Sequence, residues 1–325
     1  YNKCIMAKTS NHIVSNGPYS GDLWADKTVN RQQNNKVYNF DFNLDLAQLN
    51  TMWGVTDEAS FINFLVAKGA INIIVEDFLL QGNRLACNLS YNNIQYFDFS
   101  SAGITKVRNI QSLLHIEQLN LAYNSITKIE NLDGVLFINF LNLSNNQITK
   151  IENVEILSNL NVLNLSNNQI TKIENLSLLT NLNEFYFSGN QINKIENLST
   201  LVNLKKLYLN SNLISKIEGL ENLVSLTELL LNSNSISVIE NIELLVDLNT
   251  LVLSANLITT LQNLSTLISL QRLIISTCLI TKIENLNSLV SLLELNLENN
   301  QIDLIDNIDS LTSLNKLFIR NNDIK

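Results

Sequence analysis

The sequence predicts an α/β solenoid, a stack of near-identical short coils of chain, and three observations predict it. The segment Leu119-Asn120-Leu121-Ala122-Tyr123-Asn124-Ser125-Ile126 returns as Leu141 to Ile148 and again as Leu163 to Ile170, each step 22 residues. The period holds without slippage over ten units, whose asparagine column runs Asn124, Asn146, Asn168, Asn190, Asn212, Asn234, Asn256, Cys278, Asn300 and Asn322. A single Pro, Pro18, leaves nothing in the array to interrupt a regular stack. A fixed period of this length marks units that cannot bury their apolar side chains alone and therefore stack.

Within a unit the x-Leu-x-Leu-x stretch reads as a short strand. Its two leucines point into the stack and the residues between them point out. The asparagine that follows leaves the strand where no sheet ladder reaches, and its amide can satisfy backbone groups that would otherwise be orphaned at roughly 1–3 kcal/mol each. Cys278 is expected to fill the same slot as a small buried side chain with a weak S–H donor, not as a nucleophile.

Upstream of the array, residues 1–55 are a polar, Asn-rich extension with an Asn16-Gly17-Pro18 turn signal, and Val37 to Leu46 alternates like a strand. Residues 56–77 read as a cap. Thr56-Asp57-Glu58 opens a helix, Phe61, Phe64 and Leu65 share a face, and Gly69 stops it. The array is expected over 78–325, about 11–12 units with the last truncated. It begins with a short-period candidate at Phe78, Leu80, Asn83 and Leu85, then a degenerate unit with Phe97, Phe99, Ile104, Val107 and Ile110 in the apolar slots and Ala102 in the asparagine slot. The chain stops at Ile324-Lys325 inside a repeat, which is expected of a fragment or of an end that something else covers.

The pattern L-x-x-L-x-L-x-x-N-x-I-x-x-I-x-x-L matches the leucine-rich repeat signature. The segment Ile-Thr-Lys-Ile-Glu-Asn-Leu after the asparagine recurs at Ile148 to Val154, Ile170 to Leu176 and Ile280 to Leu286. It resembles the 22-residue class typified by the regulatory subunit of type-1 protein phosphatase, over roughly residues 97 to 325. Bacterial internalins also use 22-residue units, but with Asp-Ile and a Pro in this segment. The resemblance implies a right-handed curved solenoid with a parallel β-sheet on the concave face and short 3₁₀ or irregular segments on the convex face. It also implies that the chain works by binding protein.

The residue between the two strand leucines is expected at the centre of the concave face, and its column runs Asp98, Asn120, Asn142, Asn164, Tyr186, Tyr208, Leu230, Val252, Ile274, Asn296 and Phe318. Five consecutive units are apolar, a stripe of about 20 Å at strand spacing. Two residues earlier stand Glu184, Lys206, Glu228, Thr250, Arg272, Glu294 and Lys316, a charged rim beside it. The candidate partner-binding residues are Tyr186, Tyr208, Leu230, Val252, Ile274, Phe318, Glu184, Lys206, Glu228, Arg272 and Glu294, with the two tyrosines as anchors. A further pair of columns, Lys128, Lys150, Lys172, Lys194, Lys216 and Lys282 against Glu130, Glu152, Glu174, Glu196, Glu218 and Glu284, reads as a solvated charge ladder.

Composition narrows the function classes. A net charge of −9 argues against nucleic-acid or anionic-lipid partners, and no apolar run approaches the roughly 20 residues of a membrane span. Cys4, Cys87 and Cys278 do not form a disulfide framework, which points to a cytoplasmic or nuclear protein. The chain begins at Tyr1, so a lost upstream segment leaves the extracellular side open. Six Asn-x-Ser sequons, at Asn88, Asn142, Asn164, Asn175, Asn197 and Asn263, are what a repeat rich in Asn, Leu and Ser produces by chance. With only His12 and His115, no phosphate loop and no ligand cluster, the sequence predicts no catalysis, metal or cofactor. The expected protein is monomeric alone and binds a partner on its concave face, such as a phosphatase catalytic subunit. A scaffold of cilia, cytoskeleton or ribonucleoprotein, or a cell-surface adhesin of internalin type, are the alternatives.

Overall fold

The computed structural model describes residues 96–101, 103–107 and 116–325, with side chains from Asp98 onward. It also describes the backbone of three upstream strands, β1 (Lys36–Asp41), β2 (Ile71–Gln81) and β3 (Arg84–Asn92). The chain forms two compact units, Tyr1–Gln147 and Ile148–Lys325.

In the first unit β1, β3 and β2 form an antiparallel sheet in that order. The strand expected from Val37 is present as β1, whereas the helix expected from Thr56 to Gly69 lies outside the described residues. The candidate repeat at Phe78, Leu80, Asn83 and Leu85 is not a parallel coil. Its apolar residues fall in β2 and β3, where Leu80 pairs with Leu85 and Gln81 with Arg84. The reason is local: Gly82-Asn83 is a two-residue hairpin signal, and it separates two runs long enough to pair with each other. Parallel strands follow, β4 (Tyr96–Asp98), β5 (Gln118–Asn120) and β6 (Phe140–Asn142), each in register with the next at a 22-residue offset.

The second unit contains β7 (Val162–Asn164), β8 (Glu184–Tyr186), β9 (Lys206–Tyr208), β10 (Glu228–Leu230), β11 (Thr250–Val252), β12 (Arg272–Ile274), β13 (Glu294–Asn296) and β14 (Lys316–Phe318). All are parallel and paired in sequence order, so Leu207, Leu229, Leu251 and Leu273 lie side by side. Each strand is only three residues long because the chain must turn away to complete its coil. The inward strand leucines of β7 to β13 are fully buried against those of the next coil, and one unit substitutes Phe185 and Phe187, whose rings stack 4.9 Å apart.

On the side of the coil opposite the strands, the chain makes two successive turns. Leu201 N–H donates to Leu198 C=O (2.9 Å) and Leu204 N–H to Leu201 C=O (3.0 Å), and the same pair recurs from unit to unit. The spacing of three brings Leu198, Leu201 and Leu204 onto one inward side. Where 3₁₀ helix was among the expectations, the described residues show turns and no helix of any kind, since each turn is ended by the next inward leucine.

Two amide ladders tie the coils together. Asn212 is 7% exposed; its Nδ2 donates to Phe187 C=O (3.1 Å) of the preceding coil and Leu209 C=O (3.0 Å) of its own, and its Oδ1 accepts from Ile192 N–H (3.0 Å). Asn146 and Asn124 in the first unit, and Asn190, Asn234, Asn256, Asn300 and Asn322 in the second, have the same bonds. At Cys278 the ladder thins to sulfur contacts, 3.5 Å to Leu253 C=O and 3.7 Å to Ser276 C=O, and burial pushes the thiol up against the opposing pull of nearby backbone N–H groups. The second ladder uses the Asn of the Ile-Glu-Asn segment. Asn175, Asn197, Asn241, Asn263, Asn285 and Asn307 adopt positive φ and donate to carbonyls 24 residues back, at 2.7–2.9 Å. Gly219 holds this place once, at φ 69°, with a Cβ position that would meet Ile195 O at 2.7 Å.

Candidate binding face

The outward residues of β8 to β14 build the face, and all of the candidate partner-binding residues lie in the second unit. Sheet register brings Tyr186, Tyr208, Leu230, Val252 and Ile274 next to one another in that order. They are half-buried, because each packs sideways on its neighbours one strand away. Asn296 separates them from Phe318, which is 39% exposed on β14.

At the start of the stripe the polar groups interlock. The Tyr186 hydroxyl donates to Glu184 Oε2, Glu184 Oε1 lies 3.0 Å from Lys206 Nζ, and the Tyr208 hydroxyl donates to Glu228 Oε2 at 2.5 Å. The two rings meet edge to face, centroids 4.9 Å apart, the arrangement aromatic quadrupoles favour. Burial raises both phenol pKa values well above the usual tyrosine range, and the hydrogen bonds and charges of Glu184 and Glu228 push them further. Burial also works to raise Glu184, but the hydrogen bonds from Tyr186 and Lys206 and the lysine charge outweigh it and lower its pKa. Lys206 is raised by its bond to Glu184, with burial opposing and the charges of Glu184 and Glu228 adding to the rise. At the other end Arg272 and Lys316 flank Glu294, at 3.6 and 3.7 Å.

A second apolar column was not singled out from the sequence. Val202, Val224, Val246, Ile268 and Val290 recur at 22-residue spacing between the paired leucines of the back turns, and they are 45–57% exposed. The signal was in the period, at the first position after the leading leucine of Leu-x-x-Leu, where five units in succession place an apolar β-branched residue. The charge ladder of the Ile-Thr-Lys-Ile-Glu segment contributes one ion pair among the described residues, Lys194 to Glu196 at 3.8 Å, in exposed surroundings. Three sequons are in use structurally: the side-chain nitrogens of Asn175, Asn197 and Asn263 donate to Ile151, Ile173 and Ile239 C=O, bonds a glycan would displace. His115 lies outside the described residues. Among the described residues there is no group of three or more His, Cys, Asp or Glu that could hold a metal ion, and no helix long and apolar enough to cross a membrane.

Comparison with known proteins agrees with this architecture. The family model for leucine-rich repeats in two copies matches residues 138–178 and 180–222. No curated protein matches the sequence closely enough to count as a relative. Among solved structures, internalin C2 from Listeria monocytogenes is 30% identical with a TM-score of 0.53, covering 55% of this chain and 80% of its own. A leucine-rich repeat protein from Leptospira interrogans is 26% identical with a TM-score of 0.59, covering 66% and 63%. A plant peptide hormone receptor, solved in complex with RGF2, shares the fold at 24% identity and a TM-score of 0.54, covering 66% and 37%. With its 22-residue period, its parallel strands and its asparagine ladder, this chain belongs to the leucine-rich repeat family.

Proposed function

We propose that the chain is a non-catalytic protein-binding module that uses the strand face of its second unit. Leucine-rich repeat folds are typical of protein–protein interaction modules and are typically non-enzymatic, which supports this class. The observation that carries the reading is the change of the central column from asparagine to Tyr186, Tyr208, Leu230, Val252 and Ile274, a continuous apolar strip flanked by paired charges. An apolar centre with a charged rim is the layout of a protein interface, and tyrosine is among the residue types enriched where its binding energy concentrates.

The Ile-Thr-Lys-Ile-Glu-Asn-Leu segment supports a partner of one kind, a type-1 phosphatase catalytic subunit, with the chain as its regulatory subunit in cytoplasm or nucleus. The likeness to internalin C2 supports a second reading, a bacterial surface protein. Calorimetry with the phosphatase catalytic subunit separates them, comparing the wild type with Tyr208→Ala/Leu230→Asp and with Val224→Asp on the back turns. Binding that the first variant loses and the second keeps supports the regulatory reading and the strand face together. Loss in Val224→Asp alone moves the site to the back-turn column, and a folded wild type that does not bind removes the phosphatase and favours the surface-protein reading.

A further inference from the structure

The central column does more than change polarity along the array, because its side chains also govern backbone donors. Where the column holds Asp98, Asn120, Asn142, Asn164 or Asn296, the side-chain Oδ1 accepts the N–H two residues on, at 2.9–3.1 Å. Tyr186, Tyr208, Leu230 and Val252 offer no such oxygen. Among the described residues no acceptor takes the N–H of Ser188, Asn210, Asn232 or Ser254, whereas that of Ser276 is taken by Ser254 Oγ at 3.0 Å. The apolar strip is thus edged by a row of four half-buried backbone donors, one per coil.

Of the three rim carboxylates, one has no ion pair among the described residues. Glu184 is paired with Lys206, and Glu294 with Arg272 and Lys316. Glu228 has the Tyr208 hydroxyl and no cation within ion-pair distance among the described residues; its register neighbour Lys206 attracts it from farther off but pairs with Glu184. A carboxylate beside a tyrosine, where the stripe passes from aromatic to aliphatic, is a receptor for a cation, which gains from the charge and, where it reaches the ring, from its quadrupole.

Resting on the strand face as the binding face, we propose that its occupant is an extended, mainly apolar peptide segment with one basic side chain. The basic group pairs with Glu228 and lies on Tyr208. The apolar side chains cover Leu230, Val252 and Ile274, and the peptide carbonyl oxygens accept from the donor row. The other two rim carboxylates already have cations, Glu184 one and Glu294 two, so a second basic residue adds little, and an acidic one at the Glu228 position is rejected.

Random dodecapeptides displayed on phage and selected against the full chain supply the probe. Selected peptides are then synthesised and measured by calorimetry against wild type, Glu228→Gln, Glu228→Lys and Leu230→Asp, with circular dichroism as the check of folding and Leu230→Ser as the milder substitute. The expected selection has one Lys or Arg beside apolar residues. Glu228→Gln weakens binding about tenfold, and changing the basic peptide residue to Gln costs the wild type the same factor but costs Glu228→Gln little. Peptides that Leu230→Asp abolishes but that are indifferent to Glu228→Gln and to their own basic residue overturn this inference and leave the strand face standing. Recovery of no peptide, or only of peptides that Leu230→Asp leaves untouched, overturns the strand-face reading and this inference with it.

Discussion

Asn212 shows how much a single side chain carries in this fold. Its amide links two coils at a point where the strands have ended, and removing it leaves Ile192 N–H without its acceptor in a buried setting and takes from Phe187 C=O and Leu209 C=O one of two amide donors each, Asn190 and Asn234 keeping the other. Asn212→Ala is expected to cost about 1–3 kcal/mol in denaturant unfolding, more than a typical surface change. The reverse substitution exists naturally at Cys278, where a thiol stands in for the amide with contacts of 3.5 and 3.7 Å. Cys278→Asn is expected to raise stability by roughly 1 kcal/mol; equal or lower stability would mean that the neighbouring backbone has settled around sulfur. Thr277 beside it holds φ 56°, a strained position for a β-branched residue that asparagine fills at 145, 167, 299 and 321.

The tyrosine pair supplies a test by pH. Both phenols are raised in the folded chain, so their network contributes fully below about pH 10 and is lost as pH rises through the folded values. Glu184 is lowered, so its share is present above about pH 4.5 and is lost as pH falls through its folded value. In a tyrosinate absorbance titration, Tyr186→Phe/Tyr208→Phe is expected to lose signal only from the fraction that resists ionisation above pH 10. Loss from the fraction that titrates near 10 would mean that the network does not form in solution.

At the scale of the element, the unit of construction is the 22-residue coil rather than the strand or the turn. Deleting residues 214–235 removes one full period and joins Leu213 to Ile236, which occupies the same place in its coil as Ile214. The shortened chain is expected to fold with one strand fewer and a modestly lower melting temperature, because each coil contacts only its neighbours. Deleting 214–233 instead leaves two residues too many and throws every downstream leucine out of phase, and it is expected to lose cooperative melting. The strands, the leucine positions and the asparagine column are legible from the sequence for the same reason: repetition states them ten times. The hairpin β2–β3 was not, since it occurs once and carries no period, and only the pairing of Leu80 with Leu85 distinguishes an antiparallel return from one more coil.

For the whole molecule, the sequence by itself determined the class of fold, the register of every unit from Leu119 on, and which column faces out between the strand leucines. It could do so because a stacked array is nearly one-dimensional, and position within the period stands for position in space. Only the tertiary structure decided which outward residues are free. It half-buries the strip from Tyr186 to Ile274 and leaves the back-turn column from Val202 to Val290 more exposed, pairs every strand-face acid in the second unit but Glu228 with a cation, and leaves the N–H groups of Ser188, Asn210, Asn232 and Ser254 without an acceptor among the described residues. Those outcomes depend on contacts between residues 20 to 25 positions apart, set by strand spacing and side-chain direction. A one-dimensional pattern names the residues but does not measure the distances between them.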